Sequence, residues 1–317
     1  MSIWILTIGN SDVQLKSENH NWTKLFRGDA RKQADGLGFI PEKSRLENYY
    51  TVEARVMGLT YSQPKAKEFV GDLCFPLIDN FFSKLKDKSV ERIILILSDQ
   101  QDVFTSSDRR WKNCPYWQDT CELQPVLENY LKSKDCFANA SIDEPIILKP
   151  SSPTDGLDNW DKTLELVRSE FSKKFPHELP EDEIVYVSHQ AGTPAISSAV
   201  QFVSLAKFGK LTEFLVSSEQ QTRPPEILPS SAYLKGIRFQ EAKALLKRHD
   251  YSGVRDILGL TGKKPDLPEE KRIKYLLDAG ELWNFAEFQK FKKILTDRKL
   301  LPIDSFPWCQ SGYESIY

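Results

Sequence analysis

Short, continuously apolar runs of Ile, Val and Leu recur along the first two thirds of the chain. Four are clear, at 3–8, 92–98, 146–149 and 184–188, and a fifth at 213–218 is weaker. Continuous rather than alternating apolarity is typical of strands that are buried on both faces. The runs therefore predict the strands of a parallel sheet.

Helical periodicity separates these runs. Apolar positions at three- and four-residue spacing predict helices at 65–87, 120–133, 158–175 and 193–207. Because strand and helix alternate, we expect an α/β fold with an open, Rossmann-like, mostly parallel sheet. Residues 15–62 are polar, aromatic and interrupted by glycine and proline, and we expect an insertion or an irregular β excursion there.

A change of pattern predicts a second domain. The proline-rich stretch at 221–231 is expected to stop regular structure and to act as a linker. Beyond it the pattern is helical only, at 232–247, 251–259, 268–280 and 281–298. We therefore expect a larger α/β domain at 1–225 and a smaller all-helical domain at 226–317.

Composition and charge narrow the possible functions. The chain carries 43 basic and 45 acidic residues, a formal net charge of -2, so no general attraction to duplex DNA is expected. The five cysteines have no C-x-x-C pair and no nearby histidine cluster, which predicts reduced structural thiols and no metal site. The N-terminus lacks a charged leader, and its apolar run is too short for a membrane span, so a cytoplasmic protein is expected.

Polar loops follow two of the predicted strands. Gly9, Asn10, Ser11, Asp12 and Gln14 follow the first, and the stretch 188–194 follows the fourth. In an open parallel sheet, ligands bind at the carboxyl ends of strands where the winding reverses, and a helix N-terminus there favours phosphate. Neither loop has the glycine pattern of a dinucleotide site or the lysine of a P-loop. Helix capping alone would also explain a Thr-Pro pair at 193–194.

A third polar loop follows the second predicted strand, at 97–120. It holds Ser98, Asp99 and Gln100, a Ser/Thr patch, two arginines and the aromatic residues Trp111, Tyr116 and Trp117. Planar aromatic and Arg side chains in an extended loop can stack on a base and enclose it. Ordinary packing of a long loop would explain any one of these aromatic residues equally well.

The loops resemble a known family. The pair "IGNSDVQ" and "SHQAGTPAISSA" resembles the CARF domain, the CRISPR-associated Rossmann fold that senses cyclic oligoadenylates in type III CRISPR immunity. The resemblance covers residues 1 to about 225, and the loop at 98–120 is also similar to that family. The sequences "FQEAKALLKRHDYSGVRDIL" and "AGELWNFAEFQKFKKIL" resemble the helical connector of CARF effectors that end in a HEPN ribonuclease domain.

This resemblance implies a pocket for a cyclic tetra- or hexa-adenylate and no other cofactor. Its walls would be the first polar loop and the late-strand residues Gln190, Ala191, Gly192 and Thr193, with Gln14, Ser98, Asp99 and Gln100 as further ligand contacts. Backbone amides and small hydroxyls can hold a phosphodiester without a basic patch. Asp12 would repel phosphate, and we expect it to face a ribose hydroxyl or an adenine amino group. A symmetric ring predicts a twofold homodimer with the ligand across its interface.

An enzyme activity is left open by the sequence. HEPN ribonucleases use an R-x4-6-H motif, and none of the four histidines has an arginine at that spacing. One alternative is metal-independent cleavage of the ring by 2'-OH attack, with Ser11 and Thr193 as stabilising contacts and His189 as acid or base. A histidine at a strand end is more often a packed, hydrogen-bonded residue. The other alternative is a CARF-containing transcription regulator, but the C-terminal region shows no wing hairpin and a mixed charge pattern.

Overall fold

The computed structural model describes residues 2–17, 20–44, 49–217, 224–261 and 268–300. The first part of the expected linker, 221–223, and the last cysteine, Cys309, lie outside the described residues. The chain divides into two compact units, 1–230 and 231–317, and each is described by itself.

The strands of the described residues are short and mostly buried. They are β1 (Ser2–Thr7), β2 (Gln14–Leu15), β3 (Glu42–Lys43), β4 (Tyr50–Thr51), β5 (Leu73–Cys74), β6 (Arg92–Ser98), β7 (Ser141–Ile142), β8 (Ile146–Leu148), β9 (Ile184–Ser188), β10 (Thr212–Val216) and β11 (Glu226–Pro229). The five strands predicted from apolar runs are thus confirmed as β1, β6, β8, β9 and β10.

Helices flank these strands in the first unit and make up the regular structure described for the second. They are α1 (Trp22–Leu25), α2 (Asp29–Gln33), α3 (Ala54–Tyr61), α4 (Pro76–Leu85), α5 (Gln124–Lys132), α6 (Trp160–Lys174), α7 (Pro194–Phe208), α8 (Ser230–Leu246), α9 (Tyr251–Ile257), α10 (Pro268–Asn284) and α11 (Phe288–Asp297). No helix of the described ranges is both long enough and apolar enough to cross a bilayer.

The main sheet has seven strands in the order β11-β10-β9-β1-β6-β7, with β8 also paired to β6. All of these pairs are parallel except β10 with β11. After β1 the chain builds β6 to β8 on one side and then β9 and β10 on the other. The winding therefore reverses between β1 and β9, which confirms the Rossmann-like α/β expectation.

The region 15–62 forms a β excursion, as predicted. Its strands belong to a separate four-stranded antiparallel sheet in the order β3-β4-β2-β5. The short helices α1 to α3 accompany it, and its apolar residues join the main core through buried side chains such as Trp22, Leu25 and Met57.

The single helix predicted at 65–87 is wrong. The segment is a 3-10 helix at Pro64–Asp72, then β5, then α4. Leu73, which falls within the predicted helix, pairs instead with Leu15 across the antiparallel β2–β5 ladder. A helix cannot run through Pro76, which has no N–H to donate, whereas the first turn of a new helix tolerates it.

Two predicted boundaries also need correction. The prolines near 221–231 do not stop regular structure, because β11 pairs with the edge of the sheet through β10 and ends at Pro229. An edge strand tolerates proline since only one side of it needs ladder hydrogen bonds. In the second unit, the break expected at 280 lies instead between Asn284 and Phe288, where Ala286 has a φ of 57°.

Candidate functional site

A cleft of about 1330 Å³ opens where β1, β6, β8 and β9 end. Most of the residues predicted to bind a ligand line it: Gly9, Asn10, Ser11, Asp12, Gln14, Ser98, Gln100, Gln190, Ala191, Gly192 and Thr193. Asp99 and His189, also predicted as site residues, are not among its lining residues. The structure thus brings the three polar loops together at the point where the winding reverses, the usual ligand position in such sheets.

The loops after β1 and β9 are in direct contact. A Cβ on Gly9 would lie 2.9 Å from the backbone nitrogen of Gly192. The Thr7 hydroxyl accepts from the Ala191 N–H at 3.2 Å and donates to the Ser188 carbonyl at 3.3 Å. These contacts fix the floor of the cleft at the β1–β9 junction.

The start of α7 presents backbone donors to the cleft. Gly192 has a φ of +90°, and Thr193 is the N-cap, accepting from the Ile196 N–H at 3.2 Å. Within the described ranges, no acceptor lies against the N–H groups of Gly192 and Thr193. Free N–H groups at a helix N-terminus attract anions.

The Thr193 hydroxyl has a second partner. It donates to the Leu157 carbonyl at 2.6 Å while it caps α7. Its single proton is therefore used inside the protein, so the side chain positions the loop and leaves ligand contacts to the neighbouring amides.

Asp12 turns back into its own loop. Its carboxylate accepts from the Gly9 N–H at 2.8 Å, and the side chain is buried. Burial raises the pKa of Asp12 to about 7, although the hydrogen bond from Gly9 opposes the shift. One carboxylate oxygen thus closes the turn. The contact of Asp12 with a ribose hydroxyl or an adenine amino group stays a prediction.

Asn10 and Gln14 hold the same loop from its two ends. Asn10 accepts from the Ala54 N–H at 2.7 Å and so caps α3 in place of Glu53, which makes no side-chain cap. Gln14 donates to the Ser11 carbonyl at 2.8 Å, and its own amide oxygen is buried with no hydrogen-bond partner among the described residues.

The loop after β6 is organised by two carboxylates. Asp99 pairs with Arg55 at 2.7 Å, which accounts for its position outside the cleft lining. Asp119 accepts from the Gln100 backbone N–H at 2.8 Å and from its side chain at 3.2 Å. Ser98 accepts from the Thr120 N–H at 3.2 Å and donates its own N–H to the Thr120 hydroxyl.

Gln190 and His189 have different surroundings. Gln190 exchanges two hydrogen bonds with the Ser217 backbone, at 2.9 and 2.5 Å, which joins the ends of β9 and β10. The His189 Nδ1 atom is hydrogen-bonded to the Ser197 hydroxyl at 3.1 Å. Its ring lies edge-on to the Phe214 ring, with 5.3 Å between the two ring centres. Its Nε2 atom is buried without a partner in the described part of the chain, and burial lowers its pKa. This placement is that of a packed histidine.

The three aromatic residues singled out in the third loop, Trp111, Tyr116 and Trp117, do not line the cleft. Trp117 is fully buried in the core. The guanidinium carbons of Arg55 and Arg109 lie 4.0 and 4.2 Å from the centre of the Tyr116 ring. Trp111 is exposed but is not among the lining residues, whereas Phe104 is.

Several lining residues escaped the sequence prediction. The loop after β8 contributes Pro153, Thr154, Gly156, Leu157 and Asp158. The sequence could have indicated this loop only through its position directly after a predicted strand. Asp119 was missed because an isolated carboxylate in a long polar loop has no spacing that identifies it.

The charge of the cleft lining is mostly acidic. Lys43 is the one basic side chain among its lining residues, against Asp12, Glu42, Asp119 and Asp158. Burial also raises the pKa of Asp119, while Arg55 opposes the shift. Among the described residues, no group of three His, Cys, Asp or Glu side chains is placed to hold a metal ion.

The chain is thus a Rossmann-like α/β protein with a polar cleft at the reversal of winding. No protein-family model matches the chain, and a search of curated proteins finds no match. Among solved structures, the chain is similar to Enterococcus italicus Csm6 bound to cyclic hexa-2'-fluoro-hexa-dAMP, with 12% identity and a TM-score of 0.46. The match covers 92% of this chain and 58% of that chain, so this chain spans less than two thirds of its length.

Proposed function

We propose that the chain is a sensor of cyclic oligoadenylates in type III CRISPR defence. Residues 1–225 bind the ring in the cleft, and residues 226–317 connect this sensor to a ribonuclease effector. The observation that carries the proposal is the junction of the two predicted loops, Gly9 against Gly192, beside the unpaired amides that begin α7.

The size and chemistry of the cleft support an oligonucleotide ligand. A volume of about 1330 Å³ exceeds the roughly 300–1,000 Å³ that is usual for a site of one drug-sized molecule. Its amides and hydroxyls are neutral donors that suit phosphodiesters and ribose. Burial raises the pKa of Asp12 to about 7, which favours its neutral form and so reduces the repulsion that an acidic lining would exert on phosphate.

We further propose that the ring is shared by two copies of the chain. A cyclic ligand with repeated nucleotides presents equivalent groups, and two copies of one cleft related by a twofold axis would match them. The expected complex therefore holds two chains and one ring.

No specific observation favours either alternative, ring cleavage or transcription regulation. For ring cleavage, the Thr193 hydroxyl already donates its hydrogen bond to the Leu157 carbonyl, so it has no proton left to offer a ligand. His189 packs against Phe214 and is not among the cleft-lining residues. For a winged-helix regulator, a wing hairpin is needed, and the described residues of 231–300 contain no strand.

Native mass spectrometry tests the proposal directly. The protein is measured with cyclic tetra-adenylate, cyclic hexa-adenylate and linear hexa-adenylate. We expect a complex of two chains with one cyclic ring, and much weaker binding of the linear molecule. Absence of any complex with either ring at micromolar concentration would overturn the proposal, and a complex of one chain with one ring would overturn the shared site.

A further inference from the structure

Leu157 is held by hydrogen bonds on both sides of its backbone. Its N–H donates to the Gln100 side-chain oxygen at 3.0 Å, and its carbonyl accepts from the Thr193 hydroxyl at 2.6 Å. The buried side chain of Leu157 adds an apolar anchor. The loop after β8 is thereby attached both to the loop after β6 and to the N-terminus of α7.

Gln100 continues this connection to a buried ion pair. Its side-chain amide donates to Asp119 at 3.2 Å, and Asp119 also pairs with Arg55 at 3.0 Å. Asp119 and Arg55 are 1% and 3% exposed, so water cannot readily replace these contacts. Charged hydrogen bonds in such surroundings are stronger than neutral ones.

The connection then returns to the first polar loop. Arg55 follows Ala54 at the start of α3, and the Ala54 N–H donates to Asn10 at 2.7 Å. Asn10 directly follows Gly9, which touches Gly192 beside Thr193. These hydrogen bonds, the Gly9–Gly192 contact and the peptide links at 9–10, 54–55 and 192–193 together form a closed circuit around the cleft. We call it the cleft frame: Asn10, Arg55, Asp119, Gln100, Leu157 and Thr193.

We propose that Gln100 is a positioning residue that joins the four cleft loops and sets the affinity for the ligand. The inference rests on the proposed function, which it deepens by giving Gln100 a different role from ligand contact. Gln100 is the central member because its side chain uses its oxygen toward Leu157 and a donor toward Asp119. The amides of Gly192 and Thr193 can present donors in a fixed direction only while Leu157 holds Thr193. Pre-organised donors bind more tightly because less ordering occurs on binding.

A pair of polarity-reversing substitutions tests this role. In Gln100→Glu, the donor toward Asp119 is replaced by an oxygen, so two carboxylates face each other while the acceptor for Leu157 is kept. In the double variant Gln100→Glu/Asp119→Asn, the asparagine amide can donate to the new carboxylate and restore the contact in the opposite direction. Gln101→Glu, an exposed neighbour with the same change of charge, is the matched control.

Two measurements are made on each variant. The first is the dissociation constant for cyclic tetra- and hexa-adenylate. The second is amide hydrogen exchange of residues 154–158 without ligand. Gln100→Glu is expected to weaken binding about tenfold and to speed the exchange, whereas the double variant returns within about threefold of the native affinity. Gln101→Glu is expected to change neither quantity. Gln100→Met, which removes both contacts without adding charge, replaces the single variant if that one does not fold.

The outcomes separate this inference from the proposed function. Native affinity in both Gln100→Glu and Gln100→Met, or a double variant no tighter than Gln100→Glu, overturns the positioning role. If the native protein binds neither ring, the proposed function fails. The exchange measurement then decides alone whether Gln100 joins the loops: faster exchange that the double variant reverses supports the cleft frame, and unchanged exchange overturns it.

Discussion

Gly9 and Gly192 touch at the junction of β1 and β9. The loops that carry them are 183 residues apart in sequence, yet a Cβ on Gly9 would lie 2.9 Å from the Gly192 backbone nitrogen. Real Cβ atoms do not approach backbone that closely, so this contact requires glycine at position 9. The proposed ligand site therefore depends on a backbone approach that any larger residue would prevent.

Gly9→Ala is expected to separate the two loops. Relieving the clash should cost on the order of 1–3 kcal/mol of unfolding free energy and weaken ring binding at least tenfold. Gly38→Ala is the matched control, because a Cβ there meets nothing within 4 Å. Urea denaturation and a binding titration measure both effects. Native affinity in Gly9→Ala would show that the contact has no part in binding.

Gly192→Ala tests the backbone conformation at the start of α7. The added Cβ would meet Ile196 only at an ordinary 3.4 Å, so the cost comes from the φ of +90°, about 1–2 kcal/mol. Relief of this strain would turn the adjacent amides away from the cleft and abolish detectable ring binding. Gly209→Ala, also at positive φ but outside the cleft lining, should lose comparable stability and bind normally.

The sequence predicted the architecture well because burial on both faces leaves a strong local signal. The apolar runs at 92–98 and 184–188 become β6 and β9 with the same bounds. The helix at 65–87 failed because its apolar spacing also suits a short strand, and only pairing with β2 decides between them. Long-range hydrogen bonds decide what local periodicity leaves ambiguous.

The site was predicted in its location but only partly in its chemistry. Glycine and capping residues after strands identified both walls, since turn requirements are local. The roles of Asp12, Asp99 and Thr193 depend on partners at Gly9, Arg55 and Leu157. No spacing in the sequence indicates that these side chains are already occupied by the protein itself.

Asn10 should stabilise α3 through its side-chain oxygen. Asn10→Ala removes the cap on the Ala54 N–H and is expected to cost about 1 kcal/mol of unfolding free energy. Asn10→Asp keeps an acceptor at the same place and should retain native stability. Thermal denaturation of the three proteins checks this; equal loss in both variants would show that the capping bond is not the cause.

Arg55 is expected to be among the most sensitive charged residues. Arg55→Met leaves Asp119 buried without its cationic partner. The substitution should lower the free energy of unfolding by about 3–5 kcal/mol. Arg92→Met removes a more exposed arginine from its 2.7 Å pair with Asp143 and should cost about 1 kcal/mol or less. Denaturant titrations compare the two. If Arg55→Met loses no more stability than Arg92→Met, the buried Arg55–Asp119 pair is not the larger contribution to stability.

The raised pKa of Asp12 leads us to expect that stability and ring binding change with pH. Its pKa lies near 7 in the folded protein against a usual 3.8, so between these values the folded chain holds a proton that the unfolded chain has released. Stability contributed by this group therefore falls as pH rises from about 4 to 7 and stays low above that range. The full difference is at most about 4 kcal/mol, at roughly 1.4 kcal/mol per pKa unit.

Asp12→Asn isolates this effect, because asparagine can still accept from the Gly9 N–H without becoming charged. The variant should be more stable than the native protein at pH 8, with the gap closing toward pH 4. Native binding of the anionic ring should tighten as pH falls from 8 to 6, since protonation of Asp12 removes a negative charge, and this dependence should be absent in Asp12→Asn. Urea titrations and binding measurements across that range decide it, and parallel pH curves for the two proteins would exclude Asp12 as the titrating group.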